Sequence, residues 1–529
     1  MGLLTLPPEL LIKTLDGLCI QDIVSAAQVR LFVFPVDSRD SSQLSFDKTC
    51  GILRSLVIEN KSLLFGAENS YALQLPMGRN PKDVSPETLY DIAAKSATIS
   101  AGLSAAQEPL KPRSETLYDF APLGFGWGGD KAPSNLFVRD DLVAFVSGAT
   151  FCIIKLANDG TIKRGTRKLM APQPGPQFYV DYQVSDDRCS ILIALAASPI
   201  PPEQANPEQP VHPDVLAVQE ICVTEDRFGE TIDHFQTLLP PKSIQFLTIR
   251  DPYIAIVADW SLRIIDWRKN LGVAVALIDA EDLDEDGNDP GINSIENITG
   301  VVFHPTEPSF IVFEQFDSSR QRSGIFVVNI PSPMWDISTI DVERRVMPSE
   351  ISLDIFPDSE AGVFGTPRAS GFRLLSDSSW VMDLSLIGSR DFEGTEEIEK
   401  TVLSHGTVAL SNWKLKTEMT EYDTLPRRNR NDLNPFPNPK IAGTDFFGLI
   451  NLEEFQVMAP KFDNGNGLRH QPCWVRMALP ESLRVSAAVP EATDADDIRI
   501  EWKGDPCMFD VHTGKLYLGL PEGLLVLQY

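Results

Sequence analysis

The stretch DPYIAIVADWSLRIIDWRKNLG, residues 251–272, decides how the long carboxy-terminal part of this 529-residue chain is read. It holds two apolar runs, YIAIVA and LRIID, separated by a turn that carries Asp259 and Ser261. Short runs rich in Ile and Val, bounded by Asp, Asn and Gly, spell strands rather than helices. The second run ends in Asp266-Trp267 and a Lys-Asn turn. Weaker copies of the design are FDVHTGKLYLG, from Phe509, and GIFVVNI, from Gly324. Around them lie LVAFVSG, FCIIKL, QFYVDYQV, SILIALA, AVQEICVTEDRFGE, GVVFHPTEPSFIVFEQF, CWVRMAL and GLLVLQY. Many short strands separated by regular turn signals indicate an all-β domain, a sandwich or a propeller.

The recurrence favours the propeller. Residues 251–272 closely resemble the last two strands of a WD40-type blade, where Asp-Trp ends the third-position strand. Val302-Phe303-His304-Pro305 resembles the opening strand of such a blade. What the resemblance implies is a β-propeller over residues 120–529. At ~40–45 residues per blade that length has room for about nine. The Pro-rich 198–213, the acidic 281–293 and the Pro/Asn-rich 426–440 read as loop insertions, so the expectation is about seven blades. The final GLLVLQY would be a strand that locks the ring.

Upstream the texture is helical. Ser85-Pro86-Glu87-Thr88 is a helix start, with Ser as cap and Pro at the first helical position, and Leu89, Ile92, Ala93 and Ser96 follow at helical spacing. QEPLKPRSE, residues 107–115, ends this part, so residues 66–119 read as a helical connector.

At the amino end stand Leu6-Pro7-Pro8-Glu9-Leu10-Leu11, then Leu15, Leu18, Asp22-Ile23 and Val29. Pro is tolerated in a first helical turn because its missing N–H would have no partner there, and Glu complements the dipole at that end. Two short helices cannot bury their apolar faces alone, so some face is left over for another protein. The pattern resembles the F-box, by which substrate receptors dock on the adaptor subunit of cullin-based ubiquitin ligases of the SCF type. Leu6, Pro7, Glu9, Leu10, Leu11, Leu15, Leu18, Asp22, Ile23 and Val29 fall on the family's positions, with Thr14 where a large aliphatic residue is usual. The pattern breaks at Arg30. Removing Arg30 to Thr49 joins Val29 to Cys50 and restores what looks like the family's third helix, so residues 1–65 read as an F-box-like domain with an insertion, genuine or a gene-model artefact, at 30–49.

Composition narrows the rest. Lys and Arg number 46 against 74 Asp and Glu, a net charge of −28, which repels phosphate backbones and anionic lipid headgroups. Neither a nucleic-acid nor a membrane partner is expected; the one basic candidate, Arg427-Arg428-Asn429-Arg430, reads as an exposed loop. Seven scattered Cys without a C-x-x-C pair form neither a disulfide framework nor a zinc signature, and Cys152 and Cys222 read as small buried hydrophobes. No secretory signal is visible, so a cytoplasmic or nuclear location is expected. Asp282, Asp284, Asp286 and Gly287 match the opening of a calcium loop, but its closing Glu is replaced by Asn293. Gly124, Gly126 and Gly129 satisfy a dinucleotide fingerprint in spacing alone, with no helix start behind them. His304 reads as structural, and no nucleophile elbow, P-loop lysine or kinase signature is present.

The fold class expected is therefore α+β multidomain: a short amino-terminal α-helical F-box followed by a large all-β propeller. The resemblance implies a non-catalytic, cofactor-free substrate-recognition subunit that binds the adaptor and cullin of an SCF complex through its first helices and an unknown protein substrate through the propeller. A scaffold unrelated to ubiquitination is the leading alternative, and a propeller hydrolase or lectin-like binder comes third.

Overall fold

The computed structural model describes residues 6–28, 43–67, 69–70, 73, 75, 77–79, 81–105, 108–120, 134–139, 141–147, 150–157, 159–169, 177–198, 214–239, 244–258, 261–277, 298–314, 325–339, 343–346, 349–350, 363–374, 380–390, 400–409, 414–418, 433–435, 449–451, 456–462, 472–486, 500–502, 505–510, 513–520 and 523–529. Five helices come first: α1 (Pro8–Leu15), α2 (Ile20–Gln28), α3 (Gln43–Glu59), α4 (Lys61–Phe65) and α5 (Pro86–Ala105). Each is too short or too weakly amphipathic to persist alone, and packing makes up the difference. Leu11 and Leu15 of α1, Ile20, Ile23 and Val24 of α2, Leu53 and Val57 of α3, Leu63 and Leu64 of α4, and Leu89 and Ala93 of α5 share one core. The helix that opens at Ser85-Pro86 is capped as its sequence requires, the Ser85 hydroxyl accepting the Thr88 N–H at 3.2 Å. It belongs to the same core as α1, whereas the sequence placed it in a separate connector. α3 begins at Gln43, so residues 43–49, read as part of an insertion, are helical and continuous with Cys50.

From Ser114 onward the chain is β. Among the described residues there are seven sheets of four or more strands and one two-stranded ladder, nearly all antiparallel between sequence neighbours. Sheet 1 holds Ser134–Arg139, Leu142–Ser147, Thr150–Leu156 and Ile162–Leu169; sheet 2 holds Gln177–Val184, Ser190–Ser198, Asp214–Cys222 and Thr231–Leu239. Sheet 3 is Ile244–Arg250, Tyr253–Ala258, Ser261–Asp266 and Leu271–Leu277, extended at its outer edge by Trp335–Asp336 and by Glu343–Val346. Sheet 4 is Ile298–Phe303, Ser309–Glu314, Ile325–Asn329 and Ser349–Glu350. Sheets 5 and 6 run from Val363–Leu374 to Lys414–Glu418 and from Leu433–Pro435 to Pro472–Ala478, and Arg484–Ser486 pairs with Ile500–Trp502. Sheet 7 joins Asp505–Asp510, Lys515–Leu520 and Gly523–Gln528 to Ser114–Asp119 from the beginning of the β region.

Sheets 7, 1, 2, 3 and 4, and likewise 6 and 7, stack face to face, and this explains why their strands read as unbroken apolar runs rather than as alternating ones. In Thr150–Leu156, Phe151 and Ile153 face the core shared with sheet 2, while Cys152 and Ile154 face the core shared with sheet 7. In Tyr253–Ala258, Ile254 and Ile256 pack toward sheet 2, Ala255 and Val257 toward sheet 4. The same logic joins sheets 6 and 7 through Val457, Met477, Leu516 and Leu527. Successive four-stranded meanders packed in this way are propeller-like.

Two expectations shift in detail. Residues 251–272 form the second and third strands of sheet 3, with Leu271 opening the fourth; they are the middle of the unit and not its last pair. Asp266 does close the third strand: its carboxylate accepts the Lys269 N–H at 3.1 Å and meets the Lys269 ammonium at 2.8 Å, and Trp267 is buried against sheet 2. SETLYD, assigned to the connector, is the outer strand of sheet 7, with Tyr118 opposite Leu524 and buried beside Phe145. Gly523 is the residue that allows the approach, because a Cβ there would stand 2.1 Å from the Tyr118 carbonyl oxygen.

Candidate protein-docking surface

α1 starts where its sequence requires. Pro7 precedes it in extended conformation and its carbonyl accepts the N–H groups of Leu10 and Leu11 at 3.0 and 3.2 Å, Pro8 occupies the first helical position, and Glu9 lies in the first turn. Eight residues at 3.6 per turn give two faces. Leu11 and Leu15 point into the helical core at 3% and 6% exposure. On the other side Leu6 and Leu10 remain 38% and 47% exposed, and Pro7, Pro8 and Glu9 are exposed beside them. Thr14 continues this outer face, its hydroxyl bonded back to the Leu10 carbonyl at 2.8 Å.

The ten residues singled out by the sequence therefore divide. Leu6, Pro7, Glu9 and Leu10 form one exposed surface. Leu11, Leu15 and Ile23 lie inside the core, so they support that surface from beneath and do not themselves face solvent, while Leu18 is half-buried against the same core. Asp22 is exposed in the first turn of α2 and accepts the Cys19 thiol at 3.1 Å. Burial, and then that carboxylate, push the thiol up to about 11, so Cys19 stays protonated and is no nucleophile. Val29 lies outside the described residues.

The groups that hold this surface in place were not legible in the sequence. Asn69, 1% exposed, accepts the Ile20 N–H at 2.7 Å through Oδ1 and donates through Nδ2 to the Gln21 side chain at 2.7 Å, so it caps the start of α2 from outside the helix. Further along, Leu73 and Leu75 belong to the helical core while Met77 is buried between sheets 1 and 2. There the buried Arg188 guanidinium donates to the Leu75 carbonyl, the Arg188 carbonyl accepts the Gly78 N–H at 2.9 Å, and the Lys155 ammonium donates to the Met77 carbonyl at 3.3 Å. A second attachment lies at the end of α5 and just beyond it. Leu103 packs among Met477, Leu516 and Tyr529, and Leu110 exchanges backbone hydrogen bonds of 2.8 Å with Arg476 and Ala478. The helices are fixed to the β body at two separate places.

Elsewhere the chemistry is structural. His304, 3% exposed, accepts the Thr306 and Glu307 N–H groups at Nδ1, at 3.2 and 2.8 Å, and so closes the turn between the first two strands of sheet 4. Cys152 is fully buried, whereas Cys222 is half-buried, 3.1 Å from the Thr224 hydroxyl. Among the described residues no group of three or more His, Cys, Asp or Glu could hold a metal ion, and no helix is long and apolar enough to cross a membrane. The calcium-like loop from Asp282, the Gly124–Gly129 spacing and Arg427–Arg430 fall outside the described residues.

No family model matches the chain, and no curated protein matches it. Among solved structures, the WD40 domain of SCAP from fission yeast is 7% identical with a TM-score of 0.34, covering 75% of this chain and 84% of its own. The WD40 β-propeller domain of Doa1 is 12% identical with a TM-score of 0.29, covering 78% and 96%. The β-propeller domain of the Trilobed protease from Pyrococcus furiosus, described as having an open velcro topology, is 12% identical with a TM-score of 0.32, covering 75% and 95%. Likeness at this level decides nothing by itself, and the architecture stands on the strand pairing and the inter-sheet cores.

Proposed function

We propose that this chain is a non-catalytic recruiting subunit of an SCF-type ubiquitin ligase, acting in the cytoplasm or nucleus. Its first helices dock on the adaptor as an F-box, and its β body brings a protein substrate. In this reading the seven sheets are blades of a ring that Ser114–Asp119 closes by pairing with Gly523–Gln528. The observation that carries the docking half is the division of α1: Leu11 and Leu15 anchor it while Leu6 and Leu10 stand open to solvent. Leu6 and Leu10 are a little under half exposed, so a partner that covers them recovers about 0.5–1.5 kcal/mol each. Four of the exposed large hydrophobics, Leu6, Leu10, Ile52 and Phe65, sit on the helical unit. The rigid double attachment to the β body suits a part that must hold a substrate at a fixed distance from the rest of a ligase.

The test is a pull-down of adaptor and cullin by the full chain. Leu6→Ala with Leu10→Ala reduces capture by at least about tenfold, as expected for hot-spot truncation, and leaves the thermal transition of the β body in place. Undiminished capture, or no capture by the wild-type chain, overturns the proposal and leaves a scaffold outside ubiquitination as the reading.

A further inference from the structure

We propose that the outer edge of sheet 1, the strand Ile162–Leu169, takes an extended acidic segment of a partner protein as an added strand. This names the chemistry of what the β body recruits and rests on the recruiting role proposed above. The strand reads IKRGTRKL: four basic residues and no acidic one, in a chain with 46 basic against 74 acidic residues. It is the last strand of its sheet, paired on its inner side with Thr150–Leu156, and among the described residues no strand lies beyond it. An edge strand presents a row of backbone donors and acceptors outward, the template used in β-strand addition. Lys163 and Arg164 are exposed, and Arg167 and Lys168 follow at positions opposite Cys152 and Phe151.

The body already accepts such an addition elsewhere. The outer edge of sheet 3 is extended by Trp335–Asp336 in antiparallel and Glu343–Val346 in parallel pairing, both from the chain of sheet 4, with the Arg344 guanidinium 4.8 Å above the Trp335 ring. The other two outer strands beside sheet 1 have different chemistry: Ser114–Asp119 carries Glu115 and Asp119, and Thr231–Leu239 carries Asp233 with exposed Ile232 and Leu238. The basic edge alone among these three matches a negative segment.

A local acid already sits where that segment would bring its own. The Lys163 ammonium lies 2.7 Å from the Glu225 carboxylate, and Arg164 donates to the Glu225 carbonyl. Both partners of the pair are about half exposed, at 49% and 57%, and an ion pair so placed is weak enough to be exchanged for a carboxylate delivered on an added strand.

The experiment titrates the full chain with three fluorescein-labelled peptides: one alternating Glu and Val, one alternating Glu and Pro, and one alternating Lys and Val. The Glu-Val peptide binds, less tightly as salt rises; the Glu-Pro peptide, equally charged but unable to form a strand, does not bind, nor does the Lys-Val peptide. Lys163→Glu with Arg164→Glu weakens the Glu-Val peptide by roughly tenfold or more, and Glu225→Gln, which releases Lys163, tightens it; circular dichroism checks that both variants stay folded. No binding of the Glu-Val peptide, equal binding of the Glu-Pro peptide, or indifference to the charge reversal in a folded variant overturns the proposal. No adaptor is present in this assay, so its failure leaves amino-terminal docking standing, and failed adaptor capture leaves the peptide result standing.

Discussion

The Arg188 side chain, carried on the hairpin between the first two strands of sheet 2, donates to the carbonyl of Leu75, a residue whose own side chain belongs to the helical core. One guanidinium thus joins two units that have separate hydrophobic cores. Arg188→Met keeps the volume and removes the donor. It costs about 1.5–3 kcal/mol, the range for a hydrogen bond to a charged group. The loss is local: amide exchange of residues 73–79 accelerates while the strands of sheet 3 keep their protection. Uniform acceleration across all the sheets would show that the attachment is not a separate element.

Asn69 gives the matching prediction for the helices. Asn69→Ala leaves the Ile20 N–H and the Gln21 amide without their buried partner, a loss of about 1–2 kcal/mol for a capping interaction. Urea titration followed by the far-ultraviolet helical signal reads the change, and adaptor capture falls with it because α2 supports α1. Asn69→Asp, which retains the oxygen that accepts the Ile20 N–H but not the amide that donates to Gln21, recovers only part of the loss.

His304 makes the turn of sheet 4 sensitive to acid. Burial holds its imidazole below the ordinary value; Arg250, whose guanidinium bonds the Glu307 carbonyl at 3.1 Å, pushes the same way, and the Glu307 carboxylate pushes against them. The folded state therefore favours the neutral ring, which alone can accept two N–H groups at Nδ1. Its contribution is present above the unfolded value and is lost as pH falls from there through the folded value. Thermal midpoints measured between about pH 7 and pH 5 fall for the wild type. The slope is shallower for His304→Asn, whose side-chain oxygen accepts the same bonds without titrating. Parallel slopes would place the acid sensitivity elsewhere.

Gly523→Ala tests the pairing of the first and last strands. The new methyl would lie 2.1 Å from the Tyr118 carbonyl oxygen, so the ladder from Ser114 to Asp119 has to move. A destabilisation of about 3 kcal/mol or more is expected, with Tyr118 becoming accessible to nitration. A variant as stable as the wild type would mean that Ser114–Asp119 does not hold the β body together.

The strands were legible because burial on both faces leaves apolar runs such as FCIIKL and YIAIVA with no ambiguity, and Ser85-Pro86 announces its helix by cap chemistry alone. Ser114–Asp119 was missed for the opposite reason. Its outer position buries only Tyr118, so SETLYD carries too little apolar signal to separate it from a connector. Leu6 and Leu10 stand four residues apart just as Leu11 and Leu15 do, so only packing against the other helices separates the exposed pair from the buried one. The groups that fix the exposed surface were not legible either: Asn69, Lys155 and Arg188 act on segments 49, 78 and 113 residues away, and periodicity within a window has no access to such partners. The basic strand 162–169 was hidden by the total charge, which averages away eight residues.

The ladder between Tyr118 and Leu524 also bears on the order of events during synthesis. The strand around Tyr118 leaves the ribosome long before Gly523–Gln528, the strand that pairs with it, so it has to wait, solvated, until that strand is made. Closing so large a loop is slow in entropic terms, and the edges left open in the interval invite aggregation. Among the described residues the helical core uses none beyond Ala97, so it can form on the nascent chain. The exposed face of α1 is thus in place first, and the β body is the part whose completion a chaperone would have to guard.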